Sequence, residues 1–138
     1  MNTEPGTAAR VWQNMRTLVV DQHDRRKAVC EALDMSFIRA KALRSLAAGQ
    51  MSMRDLAQRL AIDRPYTTLI VDDLERRGLV ERRVDQADRR AKIVMITPPG
   101  RRAAELADRI LSEPPEPLRT LPATDLDTLD RIIGALLA

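Results

Sequence analysis

The stretch from Leu74 to Thr97, LERRGLVERRVDQADRRAKIVMIT, constrains the fold more than any other part of the chain. Gly78 follows Leu74-Glu75-Arg76-Arg77 where a helix C-terminus needs a left-handed residue, with cations in the last turn. Leu79 to Val84 reads as one strand. Ala91 to Ile96 reads as a second, rich in strand formers at Ile93, Val94, Met95 and Ile96. Between them, Asp85-Gln86-Ala87-Asp88-Arg89-Arg90 is too polar to enter a core. The segment therefore predicts a helix end followed by a β-hairpin with an arginine tip, the outline of a winged helix.

Charge gathers on the same segment. Residues 76–102 carry nine Arg and Lys side chains against three acids, a local net charge of +6 in a chain whose total is +3. The remainder is therefore net negative, so the positive charge is concentrated rather than spread. That is the electrostatic footprint of a phosphate-binding surface. The bland alternative is a solvated basic face with no partner.

Composition narrows the function classes. The 138 residues read as a single domain, 1–138, with enough length for a real core. With one Trp, one Tyr and one Phe, that core must be aliphatic. No apolar run reaches the roughly 18 residues of a membrane span. The opening MNTEPGTAARVWQNMR has no apolar leader segment. The lone Cys30 excludes an internal disulfide and fits a reducing cytoplasm. His23, the one histidine, sits among Asp21, Asp24, Arg25 and Arg26 and reads as solvated. One His and one Cys make no zinc constellation. There is no Gly-rich phosphate loop, nucleophile elbow or H-E-x-x-H helix. An enzyme, a metal and a cofactor are therefore not expected.

Upstream of the hairpin, residues ~7–32 read as one long helix with Val11, Met15, Leu18 and Val19 at helical spacing and Trp12 beside them. Leu33-Asp34-Met35 reads as a joint. Ser36 is the expected N-cap of a helix over 37–48, ended by Gly49. Met51 is short extended chain. Ser52 caps a helix with Met53, Leu56, Ala57 and Leu60 inward, and Asp63 caps the next, with Pro65 in its first turn. Two short helices joined by a tight turn make a helix-turn-helix. In its second helix Thr67, Ile70, Val71 and Leu74 face inward, leaving Tyr66, Thr68, Leu69, Asp72, Asp73 and Arg76 outward. A helix of this kind meets base edges with its N-terminal residues, where Tyr66 and Thr68 would hydrogen-bond and Leu69 would touch a thymine methyl. Tyr66 packing over the turn is an equal alternative.

Thr97 is the expected cap of a helix over 101–112. Glu113-Pro114-Pro115-Glu116-Pro117 must end that helix. A last helix, 125–137, carries Leu126, Leu129, Ile132, Ile133, Leu136 and Leu137, a stripe too apolar to face water. Pairing of both chain ends with a second copy is the economical solution, and a two-fold dimer suits a reader of two half-sites.

This ordered set resembles the MarR family of bacterial transcriptional regulators. The matching residues are Met53-Arg54-Asp55-Leu56-Ala57-Gln58-Arg59-Leu60, then Leu74-Glu75-Arg76-Arg77-Gly78-Leu79-Val80-Glu81-Arg82, then Asp88-Arg89-Arg90, Ile96-Thr97 and Gly100-Arg101. The resemblance covers roughly residues 8–137. It implies a homodimer on pseudo-palindromic double-stranded DNA, usually a repressor, often released by a small-molecule effector. It also implies that Arg90, in a D-x-R pattern with Asp88, enters the minor groove, which a narrow A·T-rich groove favours. A surface ion pair that merely pins the turn is the alternative for Asp88 and Arg90. Three features depart from the family. Leu69 and Asp73 stand where many relatives carry a basic residue. The prolines at 113–117 interrupt a helix that is often longer. Cys30 lies near the end of the first helix, whereas peroxide-sensing members carry theirs near its start.

The expected fold is mainly α with a small β-hairpin wing (α+β). A winged helix-turn-helix lobe occupies 36–97, and dimerisation helices occupy 8–33 and 101–138. The expected DNA-binding residues are Tyr66, Thr68, Leu69, Arg82, Arg83, Asp88, Arg89, Arg90 and Lys92. Trp12 and Met15 are candidates to line an effector crevice, with packing at a dimer interface the competing role. A protein-binding winged helix and a nonspecific architectural DNA binder are the alternative functions.

Overall fold

The computed structural model describes residues 6–138, so the first five residues of the opening segment lie outside the described residues. The chain is mostly helical, with one small antiparallel sheet. Helix α1 spans Thr7–Arg16 and continues into a π-helical segment, Thr17–Gln22. The single long helix expected over 7–32 does not form. His23 leaves helical geometry, and the Asp24 carboxylate accepts the Lys27 N–H at 3.1 Å to cap a new helix, α2, at Arg25–Leu33. The charged run that weakens amphipathicity here also contains the cap, which is why the break falls there.

Asp34 then takes left-handed geometry (φ 51°), and helix α3 follows at Phe37–Ala48. Ser36 stands at its N-cap, but its hydroxyl accepts from the Arg39 guanidinium rather than from a helix N–H. Gly49 ends α3 in an extended conformation, not the left-handed one expected of a terminal glycine. Met51–Ser52 forms β1, helix α4 spans Met53–Leu60, and helix α5 spans Arg64–Arg76. Both caps are as expected: Ser52 accepts from the Asp55 N–H at 3.0 Å, and Asp63 from the Tyr66 N–H at 2.8 Å. Gly78, at φ 74°, closes α5. The Leu79 N–H reaches back to the Leu74 carbonyl and the Gly78 N–H to that of Glu75.

Strands β2 (Val80–Val84) and β3 (Lys92–Ile96) form the hairpin, paired from Val80↔Ile96 to Val84↔Lys92. Met51 and Ser52 pair with Val94 and Ile93, so the expected two-stranded wing is rooted in a three-stranded sheet of order β1-β3-β2. Helix α6, Pro98–Ser112, starts three residues earlier than expected, because Pro98 and Pro99 fill the first turn, where their missing N–H groups cost nothing. The Thr97 hydroxyl caps it and also donates to the Gly78 carbonyl at 2.7 Å. Beside it, a Cβ on Gly100 would meet the Leu79 carbonyl oxygen at 2.0 Å, so only glycine lets α6 approach the start of β2. The proline segment breaks the chain as expected and adds a one-turn helix, α7, at Glu116–Arg119, before α8 at Ala123–Leu137.

The main core joins Leu43 and Leu46 of α3, Leu56 and Leu60 of α4, Ile70, Val71 and Leu74 of α5, Val80, Val94 and Ala104. A smaller cluster joins Val29 of α2, Ala40 of α3 and Ala107 of α6. Helix α6 therefore packs on the lobe with its first half and on α2 with its second. The boundary expected at residue 101 falls inside this helix. Arg26 of α2 lies over the Phe37 ring, 4.9 Å from its centroid, and ties the joint further.

Candidate nucleic-acid interface

Helix α5 divides its residues as the periodicity predicts. Thr67, Ile70, Val71 and Leu74 are fully buried, while Tyr66 and Leu69 are exposed at 40% and 58%. The Thr67 hydroxyl is internally satisfied by the Asp63 carbonyl at 2.8 Å. Thr68 is exposed and donates to the Arg64 carbonyl at 3.1 Å, which leaves its oxygen lone pairs as acceptors. Tyr66, Thr68 and Leu69 thus form one solvent-facing patch on the N-terminal half of α5.

The hairpin turn is organised by two aspartates. Asp85 accepts from the Ala87 N–H at 2.9 Å, and Asp88 from the Arg90 N–H at 3.1 Å. These side-chain-to-backbone bonds two residues on stabilise the turn. The Arg90 guanidinium stands 3.8 Å from the same Asp88 carboxylate, with its side chain 97% exposed. The carboxylate therefore sets the backbone while the cation projects into solvent. Arg89 and Lys92 are also exposed. Arg83 pairs loosely with Glu81 at 3.3 Å.

A cleft of about 320 Å³ separates the wing from the N-termini of α4 and α5, and its lining includes Arg54, Arg64, Asp88, Arg90 and Lys92. Arg54 and Arg64 were not among the expected contacts, because they lie outside the basic segment in sequence. Their signal was positional: both sit in the first turns of the two helices whose N-termini face the hairpin.

Two acidic clusters hold α5 in place. Asp73, 19% exposed, bonds Arg39 of α3 at 2.8 Å, Arg77 at 3.1 Å and Arg76 at 3.1 Å. Burial opposes its ionisation, but the Arg39 hydrogen bond and the charges of Arg77, Arg39 and Arg76 outweigh it and leave the carboxyl below its ordinary range. Arg77 also donates to the Asp34 carbonyl at 2.7 Å, linking this cluster to the α2–α3 joint. On the other side, Arg82 bonds Asp72 at 2.6 Å and Glu75 at 2.9 Å, and its guanidinium is half-buried. Hydrogen bonding to Arg82 lowers the Glu75 pKa despite partial burial, and the same bond raises that of Arg82. Arg82 thus stands apart from the other expected contacts: its charge is committed inside the lobe.

At the chain ends, Met15 lines an apolar groove of about 450 Å³ with Leu18, Val19, Leu118, Leu126, Leu129, Asp130 and Ile133. Trp12 is not among those lining residues and is 62% exposed. Cys30 is a half-buried free thiol. Among the described residues no helix is long and apolar enough to cross a membrane, and no cluster of three or more His, Cys, Asp or Glu side chains could hold a metal ion.

The arrangement of buried helix-turn-helix, Gly78 closure and aspartate-built wing coincides with a known pattern. Residues 33–91 match the sequence model of the MarR family. The winged-helix lobe is thus similar in sequence to the MarR family. That family consists of transcriptional regulators rather than enzymes. The whole chain is also similar in fold to solved MarR-type structures. A point mutant of MepR from S. aureus bound to an oligodeoxyribonucleotide is 23% identical, with TM-score 0.73, covering 96% of this chain and 97% of that one. NadR in complex with 4-hydroxyphenylacetate is 21% identical, with TM-score 0.63, covering 99% and 95%. The transcriptional regulator BldR from Sulfolobus solfataricus is 28% identical, with TM-score 0.62, covering 95% and 99%. No curated protein matches the chain.

Proposed function

We propose that this chain is a cytoplasmic, homodimeric, sequence-specific DNA-binding regulator of MarR type that acts as a repressor. One observation carries the reading: Arg54 and Arg64, at the N-termini of α4 and α5, face the exposed wing cations Arg90 and Lys92 across one cleft, and the exposed Tyr66 and Leu69 lie near the same end of α5. In the proposed mode, α5 enters the major groove, with Tyr66, Thr68 and Leu69 toward the base edges. Arg90 enters the adjacent minor groove, its backbone held by Asp88. Arg89, Lys92 and Arg83, joined by Arg54 and Arg64, contact phosphates, which add affinity without sequence information. The DNA-bound MepR structure supports this mode by its shared fold.

The exposed apolar stripes of the terminal helices support pairing with a second copy, which would place two lobes on two half-sites. The apolar groove beside Met15 supports a small-molecule effector, as does the ligand held by NadR. Such an effector releases DNA only if it binds the DNA-incompetent spacing of the lobes better than the competent one. Association should weaken steeply with salt as counterions are released.

Arg90→Ala tests the mode. Specific binding should weaken by about 1–3 kcal/mol in a titration of the selected operator, with the dimer intact by sedimentation. Unchanged affinity would remove the wing from the interface. Salt-insensitive association with a protein partner, or DNA binding with no preferred site, would replace the proposal altogether.

A further inference from the structure

We propose that Arg82, gripped by Asp72 and Glu75, is the positioning residue that fixes the wing against α5, so that the two groove contacts are presented as one rigid unit. The inference rests on the DNA-binding reading above and reassigns a residue that its sequence context places among the phosphate contacts.

The strand period explains why Arg82 turns inward. Side chains alternate between faces, so Arg82 follows Val80, which is buried, onto the inner face, while Glu81 and Arg83 point out. It pairs across the sheet with Val94, another buried residue. On α5, Asp72 and Glu75 lie three residues apart, one turn along the same helix face. The partners are thus aligned by the regular geometry of both elements.

The grip is on the main chain as well as the side chain. Glu75 accepts the Arg82 backbone N–H at 3.1 Å through Oε2 and the guanidinium at 2.9 Å through Oε1. Asp72 holds the same guanidinium nitrogen at 2.6 Å. A flexible surface pair restrains only side chains, whereas a carboxylate bonded to the strand backbone fixes the path of β2. Arg82 is also the last residue of β2 that is not exposed, for Arg83 and Val84 both face solvent. One pair further on, Ile93 makes the last contact of β3 with β1, and from Val84↔Lys92 the hairpin continues as two strands to the tip that carries Arg90. The clamp therefore sits at the root of the lever, where a small rotation gives the largest displacement at the tip.

The sign of a charge-neutralising substitution separates positioning from electrostatics. Asp72→Asn combined with Glu75→Gln removes two negative charges from α5 and frees Arg82. If these groups act only through charge, DNA binding tightens. If they position the wing, binding to the selected operator weakens by roughly tenfold, and preference at the outer positions under the wing disappears, while affinity for random DNA rises. Arg82→Lys, which keeps the charge but loses the planar fork, should reproduce the loss of outer-position preference with little change in urea midpoint. Its agreement guards against misfolding of the double variant.

A second readout needs no DNA. Spin labels at Gln86→Cys in the turn and Gln58→Cys on α4, in a Cys30→Ser chain diluted with unlabelled protein, report the wing-to-helix distance. The proposal predicts one narrow distribution that broadens in Arg82→Lys and in the double variant. An unchanged distribution, or retained outer-position preference in both variants, overturns it. A wild-type chain that selects no operator overturns the functional reading and the wing's role with it. A broadened distance with retained preference overturns the inference alone.

Discussion

The lobe between α3 and the first half of α6 and the helices at the two chain ends solve the burial problem in opposite ways. In the lobe, every element contributes to one aliphatic core: Leu43, Leu46, Leu56, Ile70, Leu74, Val80 and Val94 are all buried. Neither α1 nor α8 has a buried residue. Trp12, Val19, Leu136 and Leu137 are exposed at 62%, 63%, 68% and 82%. Both regions are apolar in sequence, so hydrophobicity alone does not separate them. The difference is whether the chain itself supplies a facing surface. An exposed apolar area of this extent marks an interaction surface, and the lobe gains a rigid frame that the ends lack.

Truncation in each region separates the two cases. Leu43→Ala removes a side chain with no exposure from the centre of the lobe. Urea unfolding should show a loss of about 2–5 kcal/mol at any protein concentration. Gly100→Ala strikes the seam where α6 meets β2 and should cost about 1–3 kcal/mol, since its Cβ would overlap a backbone carbonyl that has little room to move. Leu136→Ala, on α8, should leave the urea midpoint of the lobe within the full chain unchanged and weaken dimerisation by about 1–2 kcal/mol, read as a shift in the concentration dependence of sedimentation. A loss of lobe stability in that variant, independent of concentration, would erase the distinction between the regions.

The smallest effect concerns the acidic clusters that seat α5. The carboxyls of Asp73 and Glu75 lie below their ordinary values of 3.8 and 4.5 in the folded chain. Their contribution is therefore present above those ordinary values and is lost as pH falls through the depressed folded ones. Urea midpoints should drop below about pH 4, and Asp73→Asn should flatten that drop by about 1 kcal/mol while lowering stability at neutral pH. An equal acid response in wild type and variant would show that Asp73 contributes nothing to it.

Local signals made most of the lobe readable in advance. Ser52, Asp63 and Thr97 cap helices as their chemistry suggests, and the inward residues of α5 follow the helical period without exception. Gly78 takes its left-handed turn. The departures lie where long-range packing decides. β1 exists only because Met51 and Ser52 meet β3, some forty residues away in sequence. The break at His23 and Asp24 interrupts a stretch whose composition suits one helix. Gly100 looks like an ordinary turn glycine until the Leu79 carbonyl is seen beside it. At the candidate interface, Tyr66, Thr68, Leu69 and Arg90 are exposed as expected, but charge counting alone does not distinguish Arg82, half-buried between two carboxylates, from Arg90, which projects into solvent with one long pair to Asp88. Strand alternation carried that distinction: Arg82 shares a face with Val80.

Selection of fragmented genomic DNA on the purified chain at physiological salt tests the central claim most directly. The account predicts enrichment of a short two-fold-symmetric site with half-sites about one helical turn apart, lost in Arg90→Ala. Retention of DNA with no enriched sequence, or no retention by a ligand-free sample, would contradict it.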